Sequence, residues 1–123
     1  MNATRVMGIA ALLLAVGIVI GALGAHALQR VLEPRQLDSL HTGVNYQLFN
    51  ALGLLLVGVL MRDDPSGTLR IVALGLIAGV VCFSGGIYLM LAGGPRVLGL
   101  VTPLGGVLLI GAWLAFAVAM LRR

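Results

Sequence analysis

Ile71–Leu121 reads IVALGLIAGVVCFSGGIYLMLAGGPRVLGLVTPLGGVLLIGAWLAFAVAML, and Arg96 is its one charged residue. The uncharged runs on either side, Ile71–Pro95 and Val97–Leu121, each exceed the roughly 20 residues that an α-helix needs to cross a ~30 Å hydrocarbon core. Between them Gly93-Gly94-Pro95-Arg96 leaves room only for a tight reversal, so the two runs form an antiparallel hairpin. Backbone polar groups in lipid must be satisfied within the segment, which makes helices the default. The runs are far too long, and too continuously apolar, for strands of a membrane barrel.

Two more such runs lie upstream, Val6–Gln29 and Ser39–Met61. Arg62-Asp63-Asp64-Pro65-Ser66-Gly67 joins the second to the third with turn chemistry, an Asp-Pro step followed by Ser-Gly. Arg30–Asp38 is the roomiest connection. Pro34 suits a first helical position there, and Leu37, Leu40 and Val44 recur at helical spacing, so the second helix starts early. The expected fold is an all-α membrane protein, a four-transmembrane-helix antiparallel bundle in one domain, 1–123. Its helices cover approximately 5–29, 36–61, 70–93 and 97–121. Met1–Ala27, with Arg5 and the small-residue step Ala25-His26-Ala27, has some look of a secretory signal. Its apolar run is longer than the 7–15 residues of a signal core, so it is read as a retained membrane helix.

Composition agrees. The 123 residues are 60% hydrophobic and 10% charged, with mean hydropathy +1.11, whereas a soluble domain is about a quarter charged. The high pI comes from eight Arg scattered singly or in pairs between the runs, with no Lys. A nucleic-acid binder gathers its cations on one face, so no nucleic-acid partner is expected. Arg5, Arg62, Arg70, Arg122 and Arg123 share the face of the termini, against Arg30, Arg35 and Arg96 on the other. The positive-inside rule then puts the termini in the cytoplasm, in a multi-pass protein of the cell membrane.

Membrane helices lack a hydrophobic force between them and associate through close packing, for which small residues clear the way. Gly17, Gly21 and Ala25 make one ridge on the first helix, and Gly75 and Gly79, extended by Cys82 and Gly86, another on the third. Gly105, Ala112, Ala115 and Ala119 share a face of the fourth. These positions, chiefly Gly17, Gly21, Gly75, Gly79 and Gly105, are expected to pack helices within the chain or between copies in a homo-oligomer. Cys82 reads as a small packing residue.

At ~1.5 Å per residue, depth sorts the polar residues to one side. His26 ends the first helix. His41, Thr42, Asn45, Tyr46 and Gln47 lie in the far half of the second, with Asn50 near its middle. Ser84 and Tyr88 fall at mid-depth and beyond on the third, and Thr102 and Pro103 open the fourth. The candidate polar set is therefore His26, His41, Asn45, Tyr46, Gln47, Ser84, Tyr88 and Thr102, on the side away from the termini. Intramembrane polar groups either tie helices together or line a wet pocket. Pro103 adds a carbonyl, that of Gly99, freed of its helical donor.

Specific chemistry finds no pattern. His26, His41, Asp38 and Glu33 match no zinc spacing, and no nucleophile, base and orienting acid stand together. No metal, no cofactor and no catalytic residue are expected; the chain is not read as an enzyme.

Motifs in all four helices resemble those of the YgdD-like family of small integral membrane proteins, domain of unknown function family 423. They are Gly21-Ala22-Leu23-Gly24-Ala25-His26-Ala27-Leu28, Tyr46-Gln47 with Ala51-Leu52, Phe83-Ser84-Gly85 with Tyr88, and Thr102-Pro103-Leu104-Gly105-Gly106. The resemblance implies a four-helix protein of bacterial inner membranes, with relatives in eukaryotes. Its motifs include His26, Tyr46, Gln47, Ser84, Tyr88 and Thr102. Where that family often has a His shortly after Tyr-Gln, Asn50 stands here, so a role needing an ionisable group there does not carry over. The expected function is a structural, lipid- or partner-interacting bundle in the bilayer. The alternative is a small transport or permeation component with a one-sided polar vestibule.

Overall fold

The computed structural model describes residues 1–64 and 66–123. Pro65, part of the Asp-Pro turn read above, lies outside the described residues. Four helices follow in order, α1 Ala3–Ala25, α2 Pro34–Met61, α3 Thr68–Leu91 and α4 Leu98–Leu121. All four are long and apolar enough to cross a membrane.

Local chemistry sets the ends. The Asn2 side chain accepts the Arg5 N–H at 2.8 Å and starts α1. That helix stops four residues before its uncharged run does. His26, at φ −121 and ψ −79, leaves the helical region, and Ala27–Arg30 continues as a 3-10 segment. At α2 the Glu33 carboxylate accepts the Gln36 N–H while Gln36 Oε1 accepts the Glu33 N–H at 3.0 Å. Pro34 follows at the first helical position, where its missing donor is not needed. This reciprocal cap starts α2 at Pro34, two residues before the expected bound. Gly67, in the left-handed region at φ 75, precedes α3.

Each helix packs mainly on its chain neighbours, with α2 and α3 inside and α1 and α4 flanking them. In the half nearer the termini, Val6 and Ala10 of α1 meet Leu54 and Val57 of α2, Leu69, Val72 and Leu76 of α3, and Leu109 and Ala112 of α4 in one apolar core.

Two glycine seams bring the pairs together. On α1, Gly17, Gly21 and Gly24 receive Leu48, Val44 and Leu40 of α2 in antiparallel order. Methyl groups at those glycines would lie 2.8, 3.3 and 2.6 Å from the incoming side chains. Gly24 takes the third place, and Ala25, expected there, is exposed. Steps of four and then three residues keep a helix of 3.6 residues per turn on one line. On the other seam Gly75 meets Ala112, Gly79 meets Leu109, and Gly86 meets Thr102. Here α4 contributes buried Gly105, Leu109 and Ala112, while Ala115, placed on that face by its spacing, is exposed. Gly105 makes the closest approach. A methyl group there would run into the Phe83 backbone and sit 2.8 Å from the Gly79 carbonyl oxygen.

The α2–α3 loop has its own fastening. Asp64 accepts from the Ser66 hydroxyl at 2.8 Å, from the Ser66 and Leu69 N–H groups, and from Arg123 at 2.9 Å. Its side chain is 3% exposed, covered by the loop and by Arg123 rather than sunk in the interior. The Ser66 hydroxyl does most to hold the carboxyl below its ordinary value. Desolvation opposes it, while the two amides and Arg123 add to it.

Two outcomes follow. Gly105→Ala forces backbone apart and should cost about 1–3 kcal/mol. Gly111→Ala, where a methyl group meets nothing within 4 Å, should be neutral or slightly stabilising; reversible unfolding in detergent measures both. Because Asp64 is depressed in the folded state, its contribution is present above the ordinary Asp value and disappears as pH falls through the lower folded value. Protection of the Ser66 and Leu69 amides, relative to their intrinsic exchange rates, should therefore fall below about pH 4, and Asp64→Asn should remove that pH dependence.

Candidate functional site

An amide side chain in lipid needs partners, and Gln47 of α2 has one on each side. Its Nε2 donates to the Leu13 carbonyl of α1 at 2.7 Å, and its Oε1 accepts the Tyr88 hydroxyl of α3 at 2.6 Å. The α1 bond depends on Gly17, one turn after Leu13. A side chain there would crowd the Gln47 amide, whose nitrogen lies 3.4 Å from the methyl position. One turn before Gln47, Gly43 does two things. Its carbonyl accepts the Ser84 hydroxyl at 2.6 Å, and its bare surface lets the Tyr88 ring lie across α2. Gln47 and Ser84 are 3% and 1% exposed, and no buried side-chain polar atom among the described residues lacks a partner. Three helices are thus stapled by three side chains.

The other members of the candidate set go elsewhere. His26, His41 and Asn45 are exposed on the outside of the protein. His26 borders a shallow depression with Gln29 and Arg30. A separate far-side cavity of about 250 Å³ has Leu23, Leu28, Leu32 and Leu40 in its walls, with Tyr88 beside them. Thr102 donates to the Leu98 carbonyl of its own helix at 3.1 Å while its side chain fills the space above Gly86. Tyr46 is half-exposed and stacks on Phe83, ring centroids 4.6 Å apart. The structure brings Gln47, Ser84 and Tyr88 together and leaves His26, His41 and Asn45 apart from them.

A second polar tie lies towards the termini. Asn50 donates to the Tyr46 carbonyl at 2.8 Å and accepts the Trp113 indole N–H at 2.8 Å, so α2 reaches α4. The indole passes over Gly53, whose position admits no side chain beneath it. Trp113 also meets Phe116 edge-on, at 5.7 Å and 87°. Sequence reasoning placed Asn50 near the middle of its helix without joining it to Trp113. The signal was available, since an indole N–H in lipid needs an acceptor and Asn50 is the amide at matching depth.

Around this tie opens a groove of about 500 Å³. Tyr46 and Asn50 form its α2 wall, Phe83 its floor, and Gly106, Ile110, Trp113 and Leu114 its α4 wall. It faces sideways, towards lipid.

Residues 20–106 match the family described as protein of unknown function (DUF423). This chain belongs to that family. Its relatives carry the name UPF0382 membrane protein. YwdK of Bacillus subtilis (strain 168) is 40% identical over 119 residues, covering 95% of this chain and 94% of the relative. A Staphylococcus haemolyticus relative, SH2409, is 37% identical over 83% of each chain. The inner membrane protein YgdD of Escherichia coli (strain K12) is 31% identical, covering 85% of this chain and 80% of the relative. No solved structure matches this DUF423 chain. The matched span contains Gly43, Gln47, Ser84 and Tyr88, the α2 and α3 members of the staple, while the Leu13 carbonyl of α1 lies before it.

Tyr88→Phe strands Gln47 Oε1 and should cost about 0.5–1.7 kcal/mol, the range measured for membrane hydrogen bonds. Gln47→Leu should cost at least as much, and the double variant less than the sum of the two. Unfolding free energies from this double-mutant cycle check the coupling.

Proposed function

We propose that this integral membrane protein is a non-catalytic lipid-binding bundle whose lateral groove at Trp113 seats the apolar chain of a membrane lipid. The observation that carries the reading is the groove itself, open to the side, with its amide and indole groups already spent on the Asn50–Trp113 tie. What it offers a ligand is aromatic and aliphatic surface from Phe83, Ile110, Trp113 and Leu114. Its volume falls in the ~300–1,000 Å³ range of small-molecule sites. The polar residues support the same reading: Gln47, Ser84 and Tyr88 serve as bonds between helices. A permeation path would have to cross Val6, Leu54, Leu69 and Leu76, each no more than 1% exposed.

The glycine seams are used within the chain, which leaves any contact with a second copy to the exposed apolar faces of the helices. The proposed setting is the cytoplasmic membrane, with the termini inside. Support comes from the five-to-three division of Arg between the faces and from the inner-membrane name of the Escherichia coli relative.

Trp113 is the sole tryptophan, so it reports on the groove directly. In nanodiscs containing phosphatidylcholine brominated along its acyl chains, its quenching should saturate at a low mole fraction of brominated lipid. The comparison is Trp113→Phe with Leu12→Trp, which moves the indole to an exposed position of α1 at similar depth; its quenching should rise gradually with mole fraction. Superimposable curves would reject the groove as a lipid site.

A further inference from the structure

A second cleft begins where the groove ends. Leu114 borders both, and the cleft continues along α4 past Ala115, Val118 and Ala119 to Arg122 and Arg123, opposite Ser66 and Thr68 of the α2–α3 loop and the start of α3. It holds about 530 Å³. Leu114, Val118 and Arg122, at steps of four, make a short stripe along this cleft. The stripe is apolar inside the bilayer and cationic at its edge. At ~1.5 Å per residue, Trp113 lies about 13 Å below Arg122, close to half of the ~30 Å core. One leaflet of lipid has that reach.

The polar end has a sign. Arg123 already meets the Asp64 carboxylate at 2.9 Å, and Arg122 makes no ion pair among the described residues. Asp64 also takes the Ser66 hydroxyl as a donor, while the Thr68 hydroxyl has no acceptor among the described residues. Arg122 therefore contributes an uncompensated guanidinium, with a spare hydroxyl donor across the cleft. Oxygen acceptors carrying negative charge suit that pair, and a guanidinium matches phosphate in both charge and geometry.

We infer that the two clefts form one site for an anionic glycerophospholipid, its phosphate and charged headgroup at Arg122 and Thr68 and one acyl chain running past Leu114 to Trp113. This deepens the lipid-binding reading and rests on it, adding a headgroup charge and a place for it. Zwitterionic lipid lacks the net charge that Arg122 leaves unmatched.

The test uses the full chain in phosphatidylcholine nanodiscs doped with acyl-brominated phosphatidylglycerol or, separately, with acyl-brominated phosphatidylcholine. Trp113 should be quenched about fivefold more effectively by the anionic lipid, the factor one Arg supplies near a membrane surface. High salt should reduce that preference. Arg122→Gln should abolish it without changing quenching by phosphatidylcholine, and Arg122→Lys should keep most of it. Arg30→Gln, on the opposite face, should leave it intact. Equal quenching by the two lipids in the wild type, or a preference that survives Arg122→Gln, would overturn the headgroup assignment and leave the acyl groove standing. Absence of saturable quenching by either lipid would remove both. Quenching relieved by raising protein density at constant lipid composition would assign the cleft to a second copy and also overturn the inference.

Discussion

Where α4 crosses α3, the carbonyl of Gly79 and the backbone of Phe83 come so close to Gly105 that no side chain fits between them. Most of what is distinctive here follows from that approach. Lipid supplies no hydrophobic force between helices, so α3 and α4 stay together through dispersion over a close seam and through weak contacts of Cα–H with carbonyl oxygen. The crossing also fixes the rotation of α4. With Gly105, Leu109 and Ala112 turned inward, Trp113 comes round to meet Asn50, and Ile110, Leu114 and Val118 are left facing outward.

Opposite halves of the bilayer are held by different physics. Towards the termini, Val6, Leu54, Leu69 and Leu76 fill the space between helices with close-packed carbon. Away from them, Gln47, Ser84 and Tyr88 bond α2 to its two neighbours. The hydrogen bonds do not reach the flanking helix α4, which holds to α3 through glycine and to α2 through one indole N–H. Two open clefts accordingly border α4, while along the α1–α2 seam Leu40, Val44 and Leu48 fill the notches at Gly24, Gly21 and Gly17.

The four uncharged runs were enough for the fold, because twenty apolar residues without charge have few other uses and short Gly-Pro connections force antiparallel neighbours. Helix ends were legible only where a cap stood in the sequence. Glu33-Pro34 with Gln36 marks the start of α2, whereas nothing apolar or charged marks the break at His26. In the candidate site, depth correctly brought Gln47, Ser84 and Tyr88 to the same region, since depth needs only a rise per residue. Facing direction needs the seam. The turn of α2 that aims Gln47 at α1 aims His41 and Asn45 outwards, and a lone-chain count of polar residues does not separate them. Ala25 shows the same gap: a second step of four drifts off a straight seam, and Gly24, three residues after Gly21, holds the line instead.

The grooves were illegible for a further reason. A cleft is defined by the absence of atoms between two helices distant in sequence, and no residue type announces it. Trp113 came nearest to doing so. A large ring with a single polar handle, in an otherwise apolar half, either lies at an interface or has found an acceptor. Its partner here is Asn50, where the resemblance to other family members leads one to expect a His. An amide suits this position physically. It accepts from the indole through Oδ1 and donates to the Tyr46 carbonyl through Nδ2, with no charge to desolvate at any pH. A neutral His can accept and donate in the same way, but it can also take up a proton and charge, which a low-dielectric site disfavours. The amide thus makes a fixed joint between α2 and α4, one that keeps the aromatic wall of the groove in place whatever the pH on either face.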